Sequence, residues 1–152
     1  MGYSSAGIVE DVSEDVSEFR RGDSVACLGS EIATHSEIIY VPRNMCVHIP
    51  PGIEFEEAAF AGLGAVVINT VRLANLSIGE NVAIIGTDLI GLIAVQVAKA
   101  MGCSVLAVDI SEAKLQIAQE LGADAVALVK KDNYDEVYSA ARSLSEGHGV
   151  DC

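Results

Sequence analysis

Gly86 and Gly91 bracket Thr87-Asp88-Leu89-Ile90, directly after the apolar run Val82-Ala83-Ile84-Ile85. Residues of these types in this order can hold a phosphate. A strand that ends in a glycine turn and opens a helix aims unpaired N–H groups, and the helix's partial positive charge, at one point. In a dinucleotide site the first glycine permits the tight turn. The second lets backbone approach the pyrophosphate, and the third lets helix and strand pack closely. Gly86 and Gly91 take the first and third places. Asp109 closes the next apolar run, roughly 20 residues on, where a carboxylate accepts the ribose hydroxyls and repels the extra phosphate of NADP. The expected cofactor is NAD in preference to NADP, held by Gly86, Thr87, Asp88, Leu89, Ile90, Gly91 and Asp109.

The middle place breaks the pattern, because Asp88 stands where the second glycine belongs. Its carboxylate adds like charge beside the phosphates. At about 5 Å and an effective dielectric of about 20, each pair of unit charges costs roughly 3 kcal/mol, or about a hundredfold in affinity. Rotation toward solvent, or a neighbouring cation, would reduce that cost. Two readings stay open: a working cofactor site, and a nucleotide fold with an impaired site that serves as a non-catalytic binding or interaction module.

Other candidate groups are weaker. Cys46 and His48 alternate along a β-rich run and so share a face. With Cys27 or His35 they would bring metal-ligating atoms together, but the spacing is not that of a zinc site, and no metal is expected. His148, between Gly147 and Gly149, belongs to a solvated loop. The four cysteines, Cys27, Cys46, Cys103 and Cys152, are widely spaced, as suits reduced thiols in a cytoplasmic protein.

The elements that must position these residues come in two styles, which meet at Pro50-Pro51-Gly52. Before it lie short β-rich runs, Ala6–Val12, Ser24–Leu28, Ser36–Val41 and Cys46–Ile49, separated by turn residues. After it, strands alternate with helices: Glu56 to Ala74 helical, Asn81–Gly86 a strand buried on both faces, and Leu89 to Met101 helical. Ser104–Asp109 is the next strand, Ser111 caps a helix to Leu121, Ala125–Val129 is a third strand, and Asn133 to Ser145 a third helix. Both ends read as cut, the second at Gly149-Val150-Asp151-Cys152, where a fourth strand would enter.

Hydrophobic residues make up 51% of the 152 and charged residues 20%, which supports a buried core and argues against disorder. The net charge of −13 repels phosphate backbones and anionic lipid heads, so neither nucleic acid nor membrane is an expected partner. No secretory signal is expected from the opening residues, and no run reaches roughly 18 uninterrupted apolar residues. A small-molecule substrate in the cytoplasm is the expected setting.

Several stretches carry a family resemblance. Gly2-Tyr3-Ser4-Ser5-Ala6-Gly7-Ile8-Val9, Phe19-Arg20-Arg21-Gly22-Asp23-Ser24-Val25, and Ile49-Pro50-Pro51-Gly52 with Phe55-Glu56-Glu57-Ala58-Ala59 are three. Ala98-Lys99-Ala100-Met101-Gly102 and Glu120-Leu121-Gly122-Ala123-Asp124 are two more. Jointly they resemble the medium-chain dehydrogenase/reductase superfamily, which includes zinc alcohol, threonine and sorbitol dehydrogenases. The resemblance implies an α/β fold. A partial GroES-like β segment (1–52) would precede a partial Rossmann domain, a doubly wound parallel sheet (53–152) truncated in its fourth strand. It also implies hydride transfer between NAD(H) and an alcohol or carbonyl substrate, by a protein of which this segment alone is inactive. Lys114 occupies the place of a family lysine that also holds the ribose.

The departures bear on the chemistry. The family's zinc-binding histidine and its adjacent glutamate fall at Tyr3 and Ser4, the third ligand falls near Gly62, and the first lies upstream of Met1. The interval between Cys27 and His35 is too short for the four-cysteine structural zinc lobe. The resemblance therefore implies a zinc-free member, similar to two-part oxidoreductases of bacterial polysaccharide gene clusters. The full-length protein would be a homo-oligomer or a fusion to a further dehydrogenase-like domain. Without zinc, Tyr3 could donate a proton to the substrate oxygen. Packing at a domain cleft is its alternative role.

Overall fold

A computed structural model of the chain describes residues 2–131 and 133–152. Its contacts group into two compact units, Met1–Val66 and Val67–Cys152.

The first unit is built on an antiparallel sheet of β1 (Ser4–Ile8), β2 (Ser24–Leu28) and β3 (Cys46–His48), in that order. Val25, Cys27 and Ala33 form its buried core, with Val9, Phe19, Val41 and Cys46 packed against them. Ser36–Val41, expected as a strand, is irregular instead. Ile38 and Tyr40 are 79% and 83% exposed, and among the described residues no strand pairs with this stretch. β-propensity stabilises a strand mainly through cross-strand packing, and without a partner it does not suffice. The chain passes from Pro42 into a single 3-10 turn, Arg43–Met45, before β3.

The helix expected to run unbroken from Glu56 to Ala74 is two helices, α1 (Phe55–Ala58) and α2 (Ala61–Ala74). Glu54 and Glu57 form a capping box at the start of α1. The break holds the Ser4 hydroxyl, which donates to the Ala59 carbonyl at 2.6 Å and accepts the Gly62 N–H at 3.2 Å. By length and composition the run Phe55–Ala74 is apolar enough to cross a bilayer, a property that core helices of soluble proteins share. It also carries Glu56, Glu57 and Arg72.

The second unit is a three-layer α/β arrangement. Its parallel sheet has the order β4 (Asn81–Ile85), β5 (Ser104–Asp109), β6 (Ala125–Leu128). Val105 and Ala107 face α3 (Leu89–Ala100) and α4 (Glu112–Glu120), packing with Val95, Ala98, Leu115 and Ala118. Leu106 and Val108 face the other way, against Val137, Ala140, Ala141 and Leu144 of α5 (Asp135–Leu144). β5 is thus buried on both faces, and each of its large side chains contributes about 1.5–3 kcal/mol by leaving water. That place was expected for β4. β4 lies at one edge of the described sheet, and its Ile85 is 82% exposed.

The last residues run along the free edge of β4. Asp151 N–H donates to the Asn81 carbonyl and Ala83 N–H to the Cys152 carbonyl, both at 2.7 Å. The chain therefore moves from β4 outward to β6 and returns to the opposite side of β4. In open α/β sheets such a reversal marks where ligands bind, at the carboxyl ends of the strands. A small antiparallel sheet followed by this parallel unit is the partial GroES-like segment and Rossmann α/β fold expected above.

Candidate nucleotide-binding site

The site is assembled where β4 gives way to α3. Gly86 has φ +91, a left-handed conformation that side-chain-bearing residues rarely adopt, and its N–H donates to the Val108 carbonyl at 2.8 Å. This bond ties the turn to β5. Gly91 is buried on the face of α3 that meets the turn, and a Cβ there would fall on the Gly86 carbonyl oxygen. The first and third glycines of the motif are thus required by one turn and one close approach.

Thr87, expected among the ligand contacts, has no exposed surface. Its N–H and Oγ1 both donate to Asp109 Oδ2, at 2.7 and 3.0 Å, while the Ser111 N–H donates to Asp109 Oδ1 at 2.9 Å. Thr87 therefore works through Asp109, fixing its carboxylate at the mouth of the turn. Burial would raise the Asp109 pKa, but the Thr87, Ser111 and Ile110 donors outweigh it and hold the carboxyl below its usual 3.8. It is an anion at neutral pH, as a ribose acceptor must be.

Asp88 takes the N-cap position of α3 in extended conformation, without a side-chain cap bond. Its side chain is 89% exposed, with Oδ2 3.6 Å from Lys114 Nζ. The structure thus brings Lys114 to the same turn, but sets it against Asp88. Leu89 and Ile90, 43% and 49% exposed, open α3, where the first N–H groups lack intrahelical partners. Two residues were missed from the sequence. Ile85 and Ile110, 82% and 81% exposed, end β4 and follow β5, flanking the turn with apolar surface. An isoleucine at the end of one strand and another just beyond the end of its neighbour were the available signal.

The positions aligned with zinc ligands tell a different story. Tyr3 is 55% exposed just before β1, in the first unit. The Ser4 hydroxyl is engaged on both sides by Ala59 and Gly62, and a Cβ at Gly62 would lie 2.6 Å from Ser4 Oγ. Of the two ligand positions that fall within the chain, Tyr3 offers a phenol and Gly62 no side chain, a poor fit to a catalytic zinc site with its three ligating side chains. Among the described residues no group of three His, Cys, Asp or Glu could hold a metal. His48 is turned to the Glu18 carbonyl, 2.9 Å from Nε2, and its ring lies against Phe19. His148 is exposed in the loop after α5.

Residues 90–152 match the family described as zinc-binding dehydrogenase. A sorbitol dehydrogenase from Bombyx mori is 30% identical over 90% of this chain and 47% of its own length. An alcohol dehydrogenase from Geobacillus stearothermophilus is 31% identical over 87% of this chain and 48% of its own. Among solved structures, the Escherichia coli quinone oxidoreductase complexed with NADPH superposes with a TM-score of 0.85 at 26% identity, over 99% of this chain and 46% of that one. The chain spans about half the length of the curated relatives it matches. Its motifs, its two-part fold and these oxidoreductase relatives together establish that the chain belongs to the medium-chain dehydrogenase/reductase superfamily.

Proposed function

We propose that this chain is part of a zinc-independent oxidoreductase that moves a hydride between NAD(H) and an alcohol or carbonyl substrate, with the parallel-sheet unit as the cofactor cradle. The observation that carries this reading is Asp109, an anion held by Thr87 and Ser111 beside the Gly86 turn. When bound, NAD(H) supplies or accepts the hydride. The protein's part is to hold it. The N–H groups opening α3 would meet the pyrophosphate, the open lone pairs of Asp109 the ribose hydroxyls, and Ile85 and Ile110 a face of the base. The Asp109 charge favours NAD over NADP.

The unsuitable donor set at Tyr3, Ser4 and Gly62 supports zinc independence, with the Tyr3 phenol as proton donor. In functional terms we assign 1–52 to the later part of a catalytic domain and 53–152 to the nucleotide domain. A cytoplasmic setting fits the acidity and the unpaired thiols. Homo-oligomerisation, or fusion to a further dehydrogenase-like domain, belongs to the same proposal for the full-length protein.

A second reading rests on Asp88, whose charge stands where backbone normally meets phosphate: a binding module whose cofactor site is impaired. Calorimetric titration with NAD+, NADH and NADPH, on this chain and on a full-length protein containing it, separates the two. Saturable binding of NAD(H), tighter than NADPH and displaced by ADP-ribose, is expected. Failure of both proteins to bind at millimolar cofactor would favour the second reading.

A further inference from the structure

Cys27 and Cys46 lie opposite each other on β2 and β3, with their Sγ atoms 3.7 Å apart. The ladder fixes what kind of pair this is. Ile49 N–H donates to the Ser24 carbonyl at 2.9 Å, which puts positions 24 and 49 in the hydrogen-bonding phase of the ladder. Antiparallel pairs alternate, so Val25 and His48 form a non-hydrogen-bonded pair, Ala26 and Val47 a hydrogen-bonded one, and Cys27 and Cys46 again a non-hydrogen-bonded one. At such positions the Cα atoms are about 4.5 Å apart and the side chains closest, inside the window of about 4.4–6.8 Å that a disulfide spans. Side-chain rotation can bring the sulfurs to about 2 Å without moving the backbone. Cys103, in the other unit, is directed at the Ser77 carbonyl, and Cys152 is exposed.

A cavity of about 490 Å³ in the first unit gives access to the pair. Both cysteines line it, together with Ser5, Val9, Phe19 and Tyr40. The two thiols differ in environment. Cys27 is 6% exposed, and burial, with Cys46 beside it, pushes its pKa up to about 12. Cys46 is only half-buried, which makes it the thiol that meets a reagent first.

We propose that Cys27 and Cys46 are a reversible modification site, a dithiol that low-molecular-weight disulfides convert to a cross-strand disulfide. Cys46 gives up its proton and attacks one sulfur of the reagent, forming a mixed disulfide and releasing one thiol, which carries the proton away. Cys27 then attacks Cys46 Sγ, gives up its proton, and releases the second thiol. Two protein thiols are oxidised and one reagent disulfide is reduced to two thiols. The bond closes the segment that carries Ile38 and Tyr40 into a covalent loop and fixes one wall of the cavity.

The test treats the whole chain, carrying Cys152→Ser to prevent cross-linking between copies, with oxidised glutathione. Remaining thiols are alkylated in denaturant and peptides are mapped by mass. The expected result is a mass lower by two hydrogens, two thiols protected, and one peptide joining Cys27 to Cys46, all reversed by reductant. A glutathione adduct that persists on Cys46, a bond to Cys103, or thiols that all stay free would overturn the proposal. Phenylarsine oxide, which needs two thiols within reach, gives an independent reading. One equivalent should bind the unoxidised chain and none the Cys46→Ser variant, whereas no binding to the parent would count against the pair.

Discussion

Lys114 Nζ lies 3.6 Å from Asp88 Oδ2, at the start of the helix whose amino end would meet a pyrophosphate. Asp88 is largely exposed and Lys114 partly so, and a solvated pair of this kind adds little to stability. Its consequence is electrostatic. Asp88 repels phosphate, and Lys114, which would otherwise attract phosphate and ribose, is drawn toward the acid. Asp88→Gly should therefore tighten NAD(H) binding by about tenfold, less than the roughly hundredfold of an unscreened pair. Lys114→Met should cost more affinity in the Asp88→Gly background than in the parent, because only there is the ammonium free for the ligand. A double-mutant cycle read by calorimetry checks both, and additive effects would separate the two residues.

Thr87 and Asp109 form the other half of the site, and they make a distinct prediction. Thr87→Val removes one donor to Asp109 Oδ2 while keeping the buried volume and the backbone N–H bond. The Asp109 pKa should rise toward its usual 3.8, followed by NMR titration of the carboxyl carbon, with a stability loss of about 1 kcal/mol. Asp109→Ala should cost more, about 1–3 kcal/mol, because the Thr87 N–H would be left unpaired in the interior. It should also abolish any preference for NAD over NADP.

Much of this was legible in the residue order, and the exceptions have physical causes. Gly86, Gly91 and Asp109 were readable because a turn, a close approach and a strand end each restrict the residue type. The parallel strands were readable because the apolar runs in β5 and β6 fill a sheet covered by helices. Ser36–Val41 misled because its composition suits a strand and only pairing partners decide. The break between α1 and α2 was hidden because it depends on Ser4, far away in sequence. That Thr87 turns inward to hold Asp109, and that Lys114 finds Asp88, are tertiary facts that spacing does not encode.

Acid should weaken the second unit through Asp124. Lys99 Nζ lies 2.8 and 2.7 Å from its two carboxylate oxygens, and the Val105 N–H donates to Oδ2 at 2.7 Å. Burial would raise the Asp124 pKa, but Lys99 and the Val105 N–H together hold it below 3.8. A carboxyl depressed in the folded state binds protons more readily when unfolded. Its stabilisation is complete above about pH 3.8 and is lost as pH falls through the lower folded value. Urea midpoints should fall over that range. Asp124→Asn should lower the midpoint at neutral pH and flatten its acid dependence, whereas an unchanged slope would place the acid sensitivity elsewhere.

Two glycine-to-alanine changes should act with opposite signs, since they differ in what a methyl group would meet. At Gly91 the methyl falls on the Gly86 carbonyl, which the turn and its bond to Val108 hold in place. Helix and strand would have to separate, at a cost of about 1–3 kcal/mol, and the turn would lose its shape along with any cofactor affinity. At Gly64, inside α2, nothing lies within 4 Å of the added carbon. There alanine only restricts the unfolded chain and improves helix propensity, for a gain of about 0.5–1 kcal/mol. Urea unfolding of both variants reads the difference directly. If Gly91→Ala were as benign as Gly64→Ala, the tight contact between α3 and the β4 turn would not exist in solution, and the cradle built on it would have to be redrawn.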